Sequence, residues 1–352
     1  MPAADPAPAA NPPLASVLEK IREQCHLPAL AGAIFNSDGV VEVAVTGVRK
    51  AGVSEPATVN DTWHLGSDTK MMTAMVAGSL VAEGKLSWDA KVATFFPGAA
   101  ATLQPAMQGI TLGQLLSHQA GLVNNLTWAN YSTKGNLTAQ RQAAALDALA
   151  KPEFAPGAYH YSNADYVVAA AILEKVTGHS WEELIQERIF KPLQMASAGF
   201  GGVGTPGKVN QPWPHREDGT PAPQNGPAMD NPLVMAPSGG VHASMQDWAK
   251  FLIDQLRGAR GQKALLPVAI YAVIQTPPSG STYAYGWDHP AKNMQVLFHS
   301  GSNTLNFCVC WLFPEKNFGV LVCTNQGGSA AAQACDTASI ALMKRYVPPA
   351  KP

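Results

Sequence analysis

Ser67-Asp68-Thr69-Lys70 sets a serine and a lysine three positions apart, just after Trp63-His64-Leu65-Gly66 and ahead of an apolar run, Met71 to Val81. That run reads as a helix closed by Gly84. At i and i+3 the two side chains share one helix face, so the ammonium reaches the hydroxyl. A serine hydroxyl is a poor nucleophile until a neighbour takes its proton. The start of a helix also leaves backbone N–H donors free, where an oxyanion could form. Met71, Met72, Ala74, Met75, Val76, Leu80 and Val81 cover most of the circumference, so the helix reads as buried. Burial lowers a lysine pKa and suits it to proton transfer. No other lysine in the chain has a serine three positions before it.

Two further groups of residues carry chemistry. Tyr161-Ser162-Asn163 precedes an apolar helical segment, where a phenol accepts protons if a cation lowers its pKa. Taken alone, Tyr161 reads better as a packing residue and Asn163 as a helix cap. His299-Ser300-Gly301 ends a strand, and its glycine permits close approach at the strand edge. Taken alone, it is also a turn with a satisfied histidine.

The elements that must position these groups follow from pattern. Residues 14 to 25 read as a helix. Ala29 to Asn36 and Val40 to Thr46 read as a hairpin turning at Ser37-Asp38-Gly39. The middle reads as helical: Met71 to Glu83, Leu112 to Ser117, Ala139 to Ala150, Ala164 to Thr177 with Asn163 as its cap, and Trp181 to Phe190 behind a Ser180/Glu183 capping box. Gln295 to His299, Leu305 to Phe313 and Phe318 to Thr324 form a meander turning at Pro314 to Asn317, and Ala330 to Tyr346 is a last helix. Phe307, Val309, Trp311 and Phe313 fall on one face of the middle strand; Cys308, Cys310 and Leu312 fall on the other. A sheet covered on both sides follows. The expected fold is α+β, an antiparallel sheet flanked by terminal helices with a mostly helical domain inserted. The expected domains are 14–66 with 240–348, and 67–239, after an Ala/Pro-rich tail at 1–13. The Gly/Pro-rich stretch from Gly199 to Gly240 either shapes a binding site or is a surface excursion.

Bulk properties narrow the function. The chain has 352 residues, a net charge of -1 and 14% charged residues, against about 25% in typical globular proteins. Nothing favours nucleic acid or an acidic membrane surface, and no run reaches the roughly 20 apolar residues of a membrane helix. Small neutral substrates fit this balance. Residues 1–13 show neither a basic n-region nor an apolar h-region, so no signal peptide is expected there. The five cysteines lack Cys-x-x-Cys spacing, which argues against zinc. Most read as buried small hydrophobes, and Cys25 could pair with Cys335 if the terminal helices pack together.

Ser-x-x-Lys, Tyr-Ser-Asn and His-Ser-Gly, in that order, resemble the serine β-lactamase and penicillin-binding superfamily. The likeness is to the branch of class C β-lactamases, D-stereospecific peptidases and family VIII carboxylesterases. Leu115-Leu116-Ser117-His118-Gln119-Ala120-Gly121-Leu122, Ser238-Gly239-Gly240-Val241-His242 and Tyr285-Gly286-Trp287 resemble recurring stretches of that branch. The resemblance implies Ser67 as nucleophile, with Lys70 and Tyr161 sharing the proton handling. Tyr161 would be the base, held near its anionic form by Lys70. Asn163 would orient the acyl group, and His299 would bind substrate or tune Tyr161. The Ser67 and Ser302 N–H groups would form the oxyanion hole beside Ser300 and Gly301. Asn124 or Asn125 would line the cleft, and His118 would be structural. Class C β-lactamases carry Lys-Thr-Gly where this chain has His299-Ser300-Gly301, so it lacks the cation that attracts a β-lactam carboxylate.

The expected activity is therefore hydrolysis of small esters or amides through an acyl-serine, with β-lactam turnover at most weak. No cofactor is expected, and the resemblance implies a periplasmic or secreted protein. An α/β-hydrolase lacks support, because no serine sits in Gly-x-Ser-x-Gly. No His-Glu-x-x-His favours a metallohydrolase either. The alternative is a cell-wall-peptide or penicillin binder that acylates and stalls. Keeping Ser67, Lys70 and Tyr161 together speaks against it.

Overall fold

A computed structural model describes residues 12–100, 103–131, 135–290 and 296–346 of the chain, less the side chains of 99 and 100. Most of the 1–13 tail and the expected strand start at Gln295 lie outside these residues.

The chain opens with helix α1, Leu14–Gln24, which buries Leu14, Leu18 and Ile21, one residue per turn. Strands β1 (Ala29–Asn36) and β2 (Gly39–Gly47) form the expected hairpin. Near the other terminus lie β6 (Leu297–Ser302), β7 (Phe307–Phe313) and β8 (Phe318–Thr324), followed by the last helix, Ser329–Arg345. β8 pairs antiparallel with β1, so both chain ends build one sheet of order β2-β1-β8-β7-β6.

Alternation along these strands makes two cores. Leu30, Ile34, Val309, Val320 and Val322 pack with α1 and the last helix on one face. Ala31, Ala33, Phe35, Cys308, Cys310 and Leu321 face the larger core on the other. The partition of β7 is the one its sequence predicts. Cys25 and Cys335 do not pair: all five cysteines are free thiols.

The larger core is helical. Helix α2, Thr69–Ala82, is buried from Thr69 to Leu80, consistent with its apolar circumference. Leu112–Leu116 (α3), Leu137–Ala150 (α4) and Asn163–Thr177 (α5) pack around it, and α5 ends on a left-handed Gly178. Arg141 of α4 is fully buried between Glu174 and Glu182. The expected helix Trp181 to Phe190 is α-helical only over Trp181–Ile185, behind its capping box, and widens to a π-turn over Gln186–Phe190. Met245–Ala259 lays its buried face against the sheet hairpin.

A second, smaller sheet lies outside the pattern visible in the sequence. β3 (Thr62–His64), β4 (Gly199–Phe200) and β5 (Val241–Ser244) make a small second sheet of order β3-β5-β4. Strands of two to four residues carry too little alternation to be seen as pattern. This sheet delivers the chain to Ser67, with Leu65 N–H bonded to the Val241 carbonyl at 2.9 Å. Among the described residues no helix is long and apolar enough to cross a membrane.

Candidate active site

Ser67 sits in a 3-10 turn, Gly66–Asp68, that feeds α2. From Trp63 to Leu80 it is the only residue not buried. Gly66 has φ of +51°, and a Cβ there would stand 2.3 Å from Ser302 N. A Cβ on Gly301 would stand 1.9 Å from Leu65 O and 2.7 Å from Ser67 N. Two glycines thus let the Gly66–Asp68 turn and β6 touch, bringing the Ser67 and Ser302 amides to one junction.

Lys70 Nζ lies 3.0 Å from Ser67 Oγ and donates at 2.8 Å to Asn163 Oδ1 and 2.7 Å to the Ser238 carbonyl. Tyr161 OH donates at 2.7 Å to the same Ser67 oxygen. Segments 67–70 and 161–163 therefore meet at one hydroxyl, and Ser238 joins them through Lys70. Burial drives the Lys70 pKa well down, against the pull of Asp68 and Asp165. A neutral amine has two protons and one lone pair. Asn163 Oδ1 and the Ser238 carbonyl are fixed acceptors for the protons, which leaves the lone pair toward Ser67. Burial pushes the Tyr161 pKa up, with the Ser67 hydrogen bond opposing it. This shift runs opposite to the one expected of a phenol held near its anionic form.

Asn163 does not cap α5. Ser162 does, its Oγ accepting from Asp165 N at 3.1 Å. Asn163 is thereby free to turn its amide to the site, bonding Lys70 through Oδ1 and donating through Nδ2 to Asn125 Oδ1 at 2.9 Å. Asn124 holds the same corner through its carbonyl, which accepts from Asn163 N at 2.8 Å. His118 is fully buried beneath Tyr161, their ring centroids 4.5 Å apart. Its Nδ1 lies 3.2 Å from Ser162 N and 3.0 Å from Asp165 Oδ2.

The His-Ser-Gly residues fall differently from expectation. His299 is only 4% exposed, with Nδ1 2.9 Å from Asp68 Oδ1 and Nε2 3.0 Å from Tyr283 OH. Both ring nitrogens are engaged inside the protein, so the imidazole ties the Gly66–Asp68 turn to Tyr283. Ser300 alternates with His299 and Gly301 and so shares the strand face of Phe298. Ser302 Oγ is spent in the following turn, donating to Asn306 O and accepting from Thr304 N. Only the backbone of Ser302 remains for chemistry. Sequence reasoning missed Asp68, Tyr283 and the Ser238 carbonyl. Asp68 carried a signal: in a turn entering a buried helix, the residue after an outward serine must point inward. Among the described residues no three His, Cys, Asp or Glu side chains gather as a metal centre requires.

Comparisons with known proteins agree with this architecture. Penicillin-binding protein 4 of Amycolatopsis lactamdurans is 24% identical over 95% of this chain and 92% of its own length. Protein flp of Staphylococcus aureus (strain MW2) is 25% identical over 88% of this chain, which spans 62% of flp. The octameric penicillin-binding protein homologue from Pyrococcus abyssi superposes with a TM-score of 0.74 at 24% identity, over 95% of this chain and 77% of that one. SurE superposes with a TM-score of 0.75 at 21% identity, over 94% and 75%. At these identities the superpositions establish the fold. The beta-lactamase family model matches residues 14–343, from the first residue of α1 into the last helix, and on that match the chain belongs to the beta-lactamase family.

Proposed function

We propose that this protein is a serine acyl hydrolase acting on small esters or amides that carry no free carboxylate. The observation that supports this reading above all is the placement of Ser67 Oγ between Lys70 Nζ at 3.0 Å and Tyr161 OH at 2.7 Å. In this scheme Ser67 Oγ attacks the acyl carbon and its proton passes to Lys70. The carbonyl π electrons move to oxygen, where the Ser67 and Ser302 amides receive the charge. Collapse re-forms the carbonyl and breaks the bond to the leaving alkoxide or amine, which is protonated from the Lys70–Tyr161 pair. Water then attacks the acyl-serine, gives a proton to the same pair, and releases the acid as the serine oxygen is reprotonated.

The substrate class follows from His299. Its two nitrogens are taken by Asp68 and Tyr283, so the strand offers no charge to a substrate carboxylate. Cephalosporins and penicillins, whose carboxylate needs such a partner, should turn over poorly.

Ser67→Ala tests the assignment. Hydrolysis of p-nitrophenyl acetate should fall on the order of 10⁴-fold or more, as for nucleophile removal elsewhere. Unchanged turnover would refute it. One equivalent of p-nitrophenol followed by no turnover would instead identify a stalled binder.

A further inference from the structure

His64, the last residue of β3, lies buried two positions before Gly66. Its Nδ1 accepts from Gly66 N–H at 3.1 Å, so the ring proton resides on Nε2 and donates to Asp230 Oδ2 at 2.8 Å. Asp230 comes from the long Gly/Pro-rich stretch, and its side chain is 2% exposed. The other carboxylate oxygen accepts from Asn303 Nδ2 at 3.0 Å and from Asn231 N at 2.8 Å. Burial alone would raise the Asp230 pKa, but His64, Asn303 and the Asn231 amide outweigh it and hold the carboxyl below its usual range. Asn303 directly follows Ser302, and its Oδ1 is fixed by Leu305 N and Asn306 Nδ2.

One carboxylate therefore spans two backbone segments that are far apart in sequence. Through His64 it holds the amide preceding Ser67; through Asn303 it holds the residue following Ser302. All three side chains are buried. Van der Waals contact between Gly66 and Gly301 brings the segments together, but contact alone sets no direction for an N–H bond. Donors must be aimed at the developing oxyanion to be effective, and hydrogen bonds fix orientation where packing does not.

We propose that His64, Asp230 and Asn303 are positioning residues that set the separation and aim of the Ser67 and Ser302 amides, with the 199–240 stretch serving to carry Asp230 into place. This inference rests on the acyl-serine reading above. It predicts that the brace acts on the tetrahedral state and leaves ground-state binding nearly untouched.

Asp230→Asn is the sharpest test, because it changes no volume. If the amide nitrogen faces His64, Nε2 must accept, the proton moves to Nδ1, and the Gly66 contact is lost. If the amide is flipped, its nitrogen meets the Asn303 and Asn231 donors. Either way one arm of the brace fails. With p-nitrophenyl acetate, kcat should fall about 10- to 100-fold, less than the 10²–10³ that follows outright loss of an oxyanion donor. KM should stay within about threefold, and affinity for an alkyl boronic acid, which mimics the tetrahedral adduct, should weaken in step with kcat. Asn303→Ala, read the same way, serves if Asp230→Asn does not fold. His64→Asn, which keeps an acceptor for Gly66 N–H, should retain more activity than His64→Ala. A lowered melting temperature with unchanged kcat and boronate affinity would overturn the brace. Fluorophosphonate labelling of the wild-type protein at Ser67 separates the two readings. No labelling sinks both, whereas normal labelling with catalytically silent variants sinks the brace alone.

Discussion

Asp68 and His299, 231 positions apart in sequence, meet at 2.9 Å inside the protein and lock the Gly66–Asp68 turn to the edge strand of the main sheet. Tyr283 OH lies 3.0 Å from the far nitrogen of the same ring. Asp68 Oδ2 is buried without a hydrogen-bond partner, so this carboxylate depends on His299. Burial raises the Asp68 pKa and His299 opposes the rise. Removing one member of a buried charge-bearing pair costs more than the pair itself contributes.

His299→Gln therefore tests whether the ring braces or contacts. A brace behind the turn acts on all substrates alike. Acetyl, butyryl and amide substrates should lose kcat/KM by one common factor, about tenfold or more, and the melting temperature should fall as well. A reordering of substrate preference at unchanged stability would restore the substrate-contact role implied by the family resemblance.

Lys70 gives a pH dependence with a definite sign. Its pKa in the folded protein lies well below lysine's ordinary 10.5 because burial outweighs the attraction of Asp68 and Asp165. In the proposed mechanism the neutral amine takes the serine proton, so kcat/KM should rise with pH through that lowered value and then level. Between the folded and unfolded pKa values the unfolded chain holds the extra proton, so raising pH across that window also stabilises the fold. Lys70→Met should abolish turnover and flatten this part of the stability profile. An activity limb that survives in Lys70→Met would assign the titration to another group.

The contrast between Lys70 and His299 marks what sequence can convey. The helix at Met71 to Val81 announces its own burial, because apolar residues occupy every side of it, and the Lys70 shift follows from that alone. Ser-x-x-Lys spacing likewise fixes the Ser67–Lys70 contact within one helical turn. The sheet built from both chain ends was legible because β1, β7 and β8 are long enough to show alternation. His299 was not legible in this way. Its strand places it, but whether a strand residue faces cleft or core depends on what the neighbouring turn presents, and that turn presents Asp68. Asn163 misled for a related reason: asparagine and serine cap helices about equally well, and only the tertiary position of Lys70 decides which of Ser162 and Asn163 turns away. The His64–Asp230–Asn303 cluster joins three segments without periodicity, so no local pattern could reveal it.

The cysteines supply a chemical count. Burial pushes the thiols of Cys308, Cys310, Cys323 and Cys335 up, which suppresses the reactive thiolate. Cys25 is partly exposed. Ellman's reagent should titrate Cys25 first in the native protein and all five thiols after denaturation, with or without prior reductant. A denatured count of three without reductant would reveal a bridge, and peptide mapping would show whether it joins Cys25 to Cys335.

Gly301 should tolerate no side chain, for a reason of space. A Cβ there would fall 1.9 Å from Leu65 O, 2.7 Å from Ser67 N and 2.9 Å from Asp68 N. All three atoms are backbone of Leu65–Asp68, which cannot yield as a flexible side chain would. Gly301→Ala must push β6 away from Ser67 and so part the Ser67 and Ser302 amides, the proposed oxyanion donors. Overpacking of this kind typically costs about 1–3 kcal/mol, and kcat should fall at least about tenfold. Gly109→Ala is the control: a Cβ there meets nothing within 4 Å, so its effect should stay within about 0.5 kcal/mol. If Gly301→Ala kept full kcat, the Ser302 amide would not be part of the oxyanion pocket, and the acyl-transfer geometry would need a different second donor.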